Sequence, residues 1–346
     1  MKKLAAILMA GLMAFTLAAC AAPAASSSAP AASEAKTEAA AEKVTSLTIA
    51  NIPKCIGISW WDRMDVGNQR FAKDTGSKVY QAGPVGASDV AVSISAIEDA
   101  IASDVDVINV IPKDPDAIAN VLKNARDAGI IVISHEAQGM GNVDYDIEAF
   151  DNKAYGAHMM DLLAEQMGGK GGYCIKVGAL TNVSHNQWAD GAIERQKEAY
   201  PEMYEVCDRV EGSGQEGAYN AAKEVIAKYP EVKGFIGCDT NDPPGIAMAI
   251  EEAGKVGEIA VTGTCLGTQA KQYMESGTIK VFCFWDPADA GEAMCKLALM
   301  VANKEPIEDG LNLGMKGFEN CSVDGNVVIG SAWVDVTMDN LEENCF

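Results

Sequence analysis

The sequence predicts an α/β protein made of two doubly wound parallel-sheet lobes, and three observations carry that expectation. From Ser46 onward, short β-rich runs alternate strictly with amphipathic helical windows. The β-rich runs are apolar, as strands covered on both faces by helices are. The alternation also repeats about nine times, too often for one ordinary open sheet.

In chain order, the first strand candidate is Ser46–Ile52, followed by a helical window at Val66–Thr75. Ser77–Gln81 leads into Asp89–Ala102, where Val92, Ala96 and Ala100 recur at helical spacing with acids between them. Val107–Ile111 precedes Pro115–Ala128, and Ile130–Ser134 precedes a polar stretch ending near Phe150–Lys153. The units divide there, because the Asp151-Asn152 pair can cap the following helix, Ala154–Met167. The second half pairs Tyr173–Val177 with Gln187–Tyr200, Met203–Val210 with Ala218–Lys228, and Gly234–Gly237 with Gly245–Ala253. Ile259–Thr262, Ile279–Phe284 and the window Ala288–Val301 complete the series.

A chain of 346 residues can hold two cores, and 48% apolar with 22% charged residues excludes disorder for most of it. The formal charge of −22 repels phosphate backbones, which excludes nucleic acid as a partner and argues against a surface that clings to anionic lipid. Three His leave little material for metal or triad chemistry, so neither a metal nor a cofactor is expected. Residues 1–19 read as a signal peptide: Lys2 and Lys3, then the apolar Leu4 to Leu17, too short to span a bilayer. The ending Leu17-Ala18-Ala19-Cys20 is similar to a bacterial lipobox, which would make Cys20 the lipidated first residue and the lipid the sole membrane contact. An ordinary cleavage site before a cysteine is the alternative. Residues 20–45, rich in Ala, Ser and Glu, read as a disordered tether. The nine other cysteines include no CxxC and form neither a disulfide framework nor a zinc pattern. Several, such as Cys174 and Cys283, lie in apolar runs where a thiol acts as a small hydrophobe.

Doubly wound sheets bind ligands beyond the carboxyl ends of their strands. Those ends hold Lys54, then Trp60 and Trp61, His135-Glu136, Ser184 to Trp188, Cys238 to Asn241, Thr264-Cys265 and Phe284-Trp285-Asp286. Flat aromatic faces beside carboxylates and amides suit a sugar, which offers CH faces for stacking and a rim of hydroxyls. Trp60, Trp61 and Trp285 are the expected walls. Glu136 and Asp239 are the expected acceptors, with Lys54 and His185 as donors. Gln187, Thr240, Cys265 and Asp286 complete the candidate set, and no catalytic residue is assigned.

This pattern resembles the type I periplasmic binding proteins of bacterial sugar ABC transporters, over residues 45–346. Within them it is closest to the autoinducer-2 and rhamnose binding branch. The marks are Ile52-Pro53-Lys54, Asn186-Gln187-Trp188, Phe284-Trp285-Asp286 and the tail Asp335-Val336-Thr337-Met338-Asp339-Asn340. The resemblance implies two Rossmann-like lobes joined by a three-stranded hinge, residues 46–151 plus 283–308 and residues 152–282 plus 309–346. It also implies a monomer that binds a small sugar-like ligand and partners an ABC permease, or a sensor protein in signalling. Autoinducer-2 binders of this branch carry a Lys after the first strand, an Asp after the fourth and an Asp-Gln pair after the fifth. They also flank the Asp after the seventh with Pro and Ala. Here Lys54 matches, Glu136 is longer, Ser184-His185 replaces Asp-Gln, and Cys238 and Thr240 flank Asp239. A pentose, deoxyhexose or related polyol therefore stands beside autoinducer-2 as ligand, with a nucleoside as a further alternative and an exported carbohydrate-active enzyme as the competing class.

Other motifs have plainer readings. Gly212-Ser213-Gly214-Gln215-Glu216-Gly217 matches GxGxxG between a strand and a helix, but follows the sixth strand and would set Glu216 against a pyrophosphate. A glycine-rich loop is the better reading. Asp144, Asp146, Glu148 and Asp151 alternate without the Gly and closing Glu of a calcium loop, so a solvated segment is expected. His135 reads as a core histidine and His158 as structural. No nucleophile elbow, HExxH or P-loop occurs.

Overall fold

The computed structural model describes residues 43–346; the expected signal peptide, Cys20 and most of the tether lie outside the described residues. The first half of the described chain runs β1 (Thr48–Ile52), α1 (Ser59–Thr75), β2 (Lys78–Gln81), α2 (Val90–Ala102), β3 (Val107–Val110), α3 (Pro115–Asp127), β4 (Ile131–His135) and β5 (Tyr145–Glu148). The second runs α4 (Asn152–Met167), β6 (Lys170–Val177), α5 (Val183–Ala199), β7 (Glu202–Glu205), β8 (Val210–Glu211), α6 (Gly214–Lys228), β9 (Val232–Gly237), α7 (Asp242–Glu252), β10 (Ala260–Gly263) and α8 (Gly267–Glu275). The chain continues through β11 (Phe282–Phe284), α9 (Pro287–Ala302), β12 (Ser322–Asp324), β13 (Val327–Ile329) and β14 (Val334–Val336).

Two mainly parallel sheets result. One has seven strands in the order β12-β13-β5-β4-β3-β1-β2, and the other runs β10-β9-β6-β7 with β8 also on β6. Successive residues of β1 serve opposite faces: Ile49 packs with Val107, Ile133 and Ile147, and Ala50 and Ile52 with Ile108, Val110 and Val132. Acidic caps begin α2, α3, α4 and α9, with Asp89 accepting from Ala91 N and Val92 N and Asp151 from Ala154 N. The Asp151 cap stands where the sequence predicted it.

The chain passes between the two sheets three times, near residues 149–151, 285–286 and 330–333. At the last two crossings β11 and β14 pair antiparallel. Helix α9 returns to pack on α1, β3 and β4 of the first sheet. The hairpin β12–β13 does so too, through parallel pairing of β13 with β5. This corrects the expectation that 309–346 belongs wholly to the second lobe: Val327↔Asp146 and Ile329↔Glu148 tie that hairpin to the first sheet.

The acidic stretch before the crossover is likewise only partly solvated: Asp151 is exposed and Asp144 half-buried, but Asp146 and Glu148 are not. It forms β5, with Asp146 and Glu148 buried on one face. Ser134 Oγ donates to Asp146 at 2.6 Å and Gln138 N to Glu148 at 3.1 Å. Burial pushes Glu148 well above the usual carboxylate range, with the neighbouring Asp146 adding to the effect.

Helices α4 and α5 cross so closely that a Cβ on Gly156 would lie 1.9 Å from the Trp188 carbonyl oxygen. Gly156→Ala must therefore separate the two helices. The expected loss is about 1–3 kcal/mol, read as a lower melting temperature by circular dichroism. An unchanged melting temperature would contradict the observed crossing.

Candidate functional site

A cleft opens where the carboxyl ends of the two sheets face each other. Lys54 follows β1, Glu136 follows β4, Asp239 and Thr240 follow β9, and Trp285 follows β11. Trp60 and Trp61 open α1, while His185 and Trp188 sit on the first turns of α5. The lining leaves about 80 Å³ in which the centre of a water molecule fits, space for roughly half a dozen waters or one small polyol. Eight candidates from the sequence thus come together: Lys54, Trp60, Trp61, Glu136, His185, Asp239, Thr240 and Trp285.

The aromatic walls are more buried than helix periodicity suggests, because they pack on one another. Trp60 meets Trp285 edge-on at 4.7 Å between ring centroids, and Trp188 meets Trp285 at 5.7 Å.

Three candidates fall outside the cavity lining. Gln187 accepts from Asn152 Nδ2 and donates to Gln138. Cys265 is fully buried with its Sγ against the Leu266 carbonyl. Asp286 caps α9 and forms a two-bonded pair with Arg63 at 2.9 and 2.6 Å. Each has a chain neighbour in the lining: Trp188 and Thr264, which were not in the candidate set, and Trp285, which was. Cys55, Ile58, Ser88 and Cys238 also line it and were not in the candidate set. Cys55 and Cys238 abut the identified polar residues along the chain, but a thiol carries no local signal that separates a cavity wall from a core position.

His135 is a core residue, its Nδ1 held at 2.5 Å by the Ile147 carbonyl. His158 pairs with Asp335 at 2.6 Å and stacks on Trp333. Gly212 of the GxGxxG stretch offers its carbonyl to the Lys176 ammonium. Among the described residues no group of three or more His, Cys, Asp or Glu is placed to hold a metal ion.

Lys54 Nζ and Glu136 Oε2 lie 2.5 Å apart, both nearly sealed from solvent. Ser184 Oγ, from α5 beside the second sheet, lies 3.0 Å from the same Oε2 and 3.0 Å from Asn182 Oδ1, and shares its one proton between these two acceptors. One carboxylate oxygen therefore ties the two sheets together. Glu136 holds a left-handed backbone with φ of 55°, which costs a side-chain-bearing residue on the order of 1 kcal/mol. Burial opposes ionisation of Glu136, yet Lys54 and the two neighbouring histidines outweigh it and hold the carboxyl at about 2.

His185 Nδ1 accepts from Gly178 N at 3.1 Å, which leaves the proton on Nε2 as a donor. A Cβ on Gly178 would come within 3.1 Å of the His185 ring and 3.2 Å of Asp239 Oδ2. Glycine is what lets ring and carboxylate approach there. Asp239 Oδ1 accepts from both Asn241 N and Asn241 Nδ2 at 3.0 Å. Burial pushes the Asp239 carboxyl up, but His185, Lys176 and the Asn241 bonds more than reverse that, so it stays ionised. Beneath it, Lys176 and Asp242 form a buried pair at 2.6 Å, and Asp242 Oδ2 accepts from Asp239 N at 2.8 Å. That pair fixes the loop that presents Asp239.

Burial and then Lys54 push His185 from 6.5 down to about 3. Below pH 6.5 the unfolded chain takes up a proton that the folded site refuses, so this stability is full above 6.5 and is lost as pH falls towards 3. Between pH 6.5 and 5 the loss should be about 2 kcal/mol. In thermal unfolding against pH, His185→Gln should flatten that segment. An unchanged slope would place the proton elsewhere.

A family model described as a periplasmic binding protein domain matches residues 49–306. The D-allose-binding periplasmic protein of Escherichia coli (strain K12) is 29% identical over 156 residues, 44% of this chain and 50% of that protein. The xylitol-binding protein of Mycolicibacterium smegmatis is 26% identical over 176 residues, 49% of each chain. The chain thus spans about half the length of these curated relatives. Among solved structures, LsrB from Clostridium saccharobutylicum in complex with AI-2 shares the fold at TM-score 0.77 and 20% identity, over 86% of this chain and all of that one (100%). The Clostridium phytofermentas solute binding protein with bound L-rhamnose shares it at TM-score 0.78 and 19% identity, over 88% of this chain and 99% of that one. With three quarters of its length matched, and with two sheets facing across a polar, tryptophan-walled cleft, the chain belongs to the periplasmic binding protein domain family.

Proposed function

We propose that the protein is an extracytoplasmic solute-binding protein that takes up one small, uncharged sugar or polyol between its sheets and delivers it to an ABC permease. The observation that carries this reading is the cleft itself, where Trp60 and Trp285 stand beside the carboxylates of Glu136 and Asp239. Hydroxyl protons suit carboxylate acceptors, and CH faces suit indole rings. Relatives named for D-allose, xylitol and L-rhamnose are in keeping with it. One ammonium faces two carboxylates while His185 is neutral, an arrangement that disfavours sugar acids and sugar phosphates. The Leu17-Ala18-Ala19-Cys20 sequence supports a lipid anchor through Cys20. Autoinducer-2 is a second ligand, favoured by Lys54 after the first strand.

Native mass spectrometry of gently purified protein, followed by calorimetry with D-allose, xylitol, L-rhamnose, D-arabinose and autoinducer-2, tests this. A neutral ligand bound unaltered, with the matching uronate rejected, is the expected result. Turnover of the ligand over hours, or preference for the uronate, would overturn it. Trp60→Ala or Trp285→Ala should each cost about 1–3 kcal/mol of binding, read by the same calorimetry. Wild-type affinity in both variants would remove these rings from the binding site. Closure of the lobes about the crossings should appear as compaction in small-angle scattering with saturating ligand.

A further inference from the structure

On the second sheet, outside the cavity lining, Cys174 Sγ and Cys207 Sγ lie 3.7 Å apart, although the residues are 33 positions apart in sequence. Among the described residues no other two cysteine sulfurs are in hydrogen-bonding contact, and all nine cysteines are free thiols. Cys174 is sealed in the middle of β6, and Cys207 is half-buried in the connection between β7 and β8. The backbone already sets the pair side by side: Val206 N donates to the Tyr173 carbonyl at 2.9 Å, and Val210 pairs with Lys176 just beyond. Sulfurs in van der Waals contact on hydrogen-bonded neighbouring backbone stand within reach of the about 2.05 Å separation of a disulfide.

We propose that Cys174 and Cys207 form a redox-active dithiol that closes to an intramolecular disulfide when an external small-molecule disulfide is the oxidant. The accessible Cys207 thiolate attacks one sulfur of that oxidant and expels one thiolate, leaving a mixed disulfide. The Cys174 thiolate then attacks Cys207 Sγ and expels the second. The pair loses two electrons and two protons, and one external disulfide becomes two thiols. Burial pushes both thiols above the ordinary range, so closure is slow near neutrality and accelerates at alkaline pH. The staple would pin the segment that carries Arg209, whose guanidinium holds Asn186 at 2.8 Å beside His185.

The test uses the full chain with glutathione disulfide at pH 7 and pH 9, quenched in acid, denatured, alkylated and digested without reduction. The expected product is one linked peptide pair containing Cys174 and Cys207, formed faster at pH 9. It should bring a melting temperature about 5 °C higher, reversed by dithiothreitol. Cys207→Ser, at the half-exposed position, should keep the reduced melting temperature and give no linked pair. The proposal is overturned if Cys207 stops as a glutathione adduct with Cys174 still alkylated, if both remain alkylated, or if another pair links first.

Discussion

Lys54→Met is expected to lower stability by about 3–5 kcal/mol, the largest effect of any single substitution in the cleft. The variant leaves the Glu136 carboxylate, 4% exposed, without its counter-ion. Among the described residues, Ser184 Oγ would be the one hydrogen-bond donor left to that oxygen. Glu136→Gln should cost less, because Lys54 keeps an amide oxygen to bond. The double variant Lys54→Met with Glu136→Leu should recover most of the loss, since a buried ion pair replaced by apolar groups is often neutral. Chemical unfolding of the four proteins gives the cycle. Ligand binding then separates two roles. If the pair contacts the sugar, the double variant binds more than tenfold weaker even though its stability has returned. If its affinity returns with its stability, the pair only holds the sheets together.

Asp239→Asn should weaken binding roughly tenfold to a hundredfold, the value of one hydrogen bond to a charged acceptor. Its Oδ1 is engaged by Asn241, whereas among the described residues no donor bonds its Oδ2, which lies beside His185 at the cavity. Calorimetry with the ligand and its deoxy analogues locates the contact. Wild-type protein should lose affinity for the one analogue that lacks the bonded hydroxyl, and Asp239→Asn should bind that analogue and its parent alike. Equal losses for every analogue, together with a lower melting temperature, would assign Asp239 to the loop that Lys176 and Asp242 already brace.

Most of the site was legible because parallel sheets aim all their carboxyl ends the same way, so a list of strand ends is nearly a list of cleft residues. What the list lacked was orientation. Gln187, Cys265 and Asp286 each stand one position from the true lining residues Trp188, Thr264 and Trp285. A step of one residue turns a side chain to the opposite face of a strand and by 100° around a helix. Strand β5 was illegible for another reason. Asp146 and Glu148 look solvated until Ser134 and Gln138 are brought beside them, and that contact is made by the sheet, not by neighbouring sequence. The same holds for β12–β13, whose place depends on pairing with β5.

The crowding of indoles at the cleft has a spectroscopic consequence. The chain contains five tryptophans. Four line the cavity, and the fifth, Trp333, lies at the third crossing with its ring 5.6 Å from Phe150. None is spent in a remote part of either sheet, so tryptophan emission, excited selectively over the nine tyrosines, carries no background from the rest of the fold. Emission wavelength and quenching by acrylamide therefore report ligand entry and lobe movement directly, and stopped-flow mixing can time both without an attached dye.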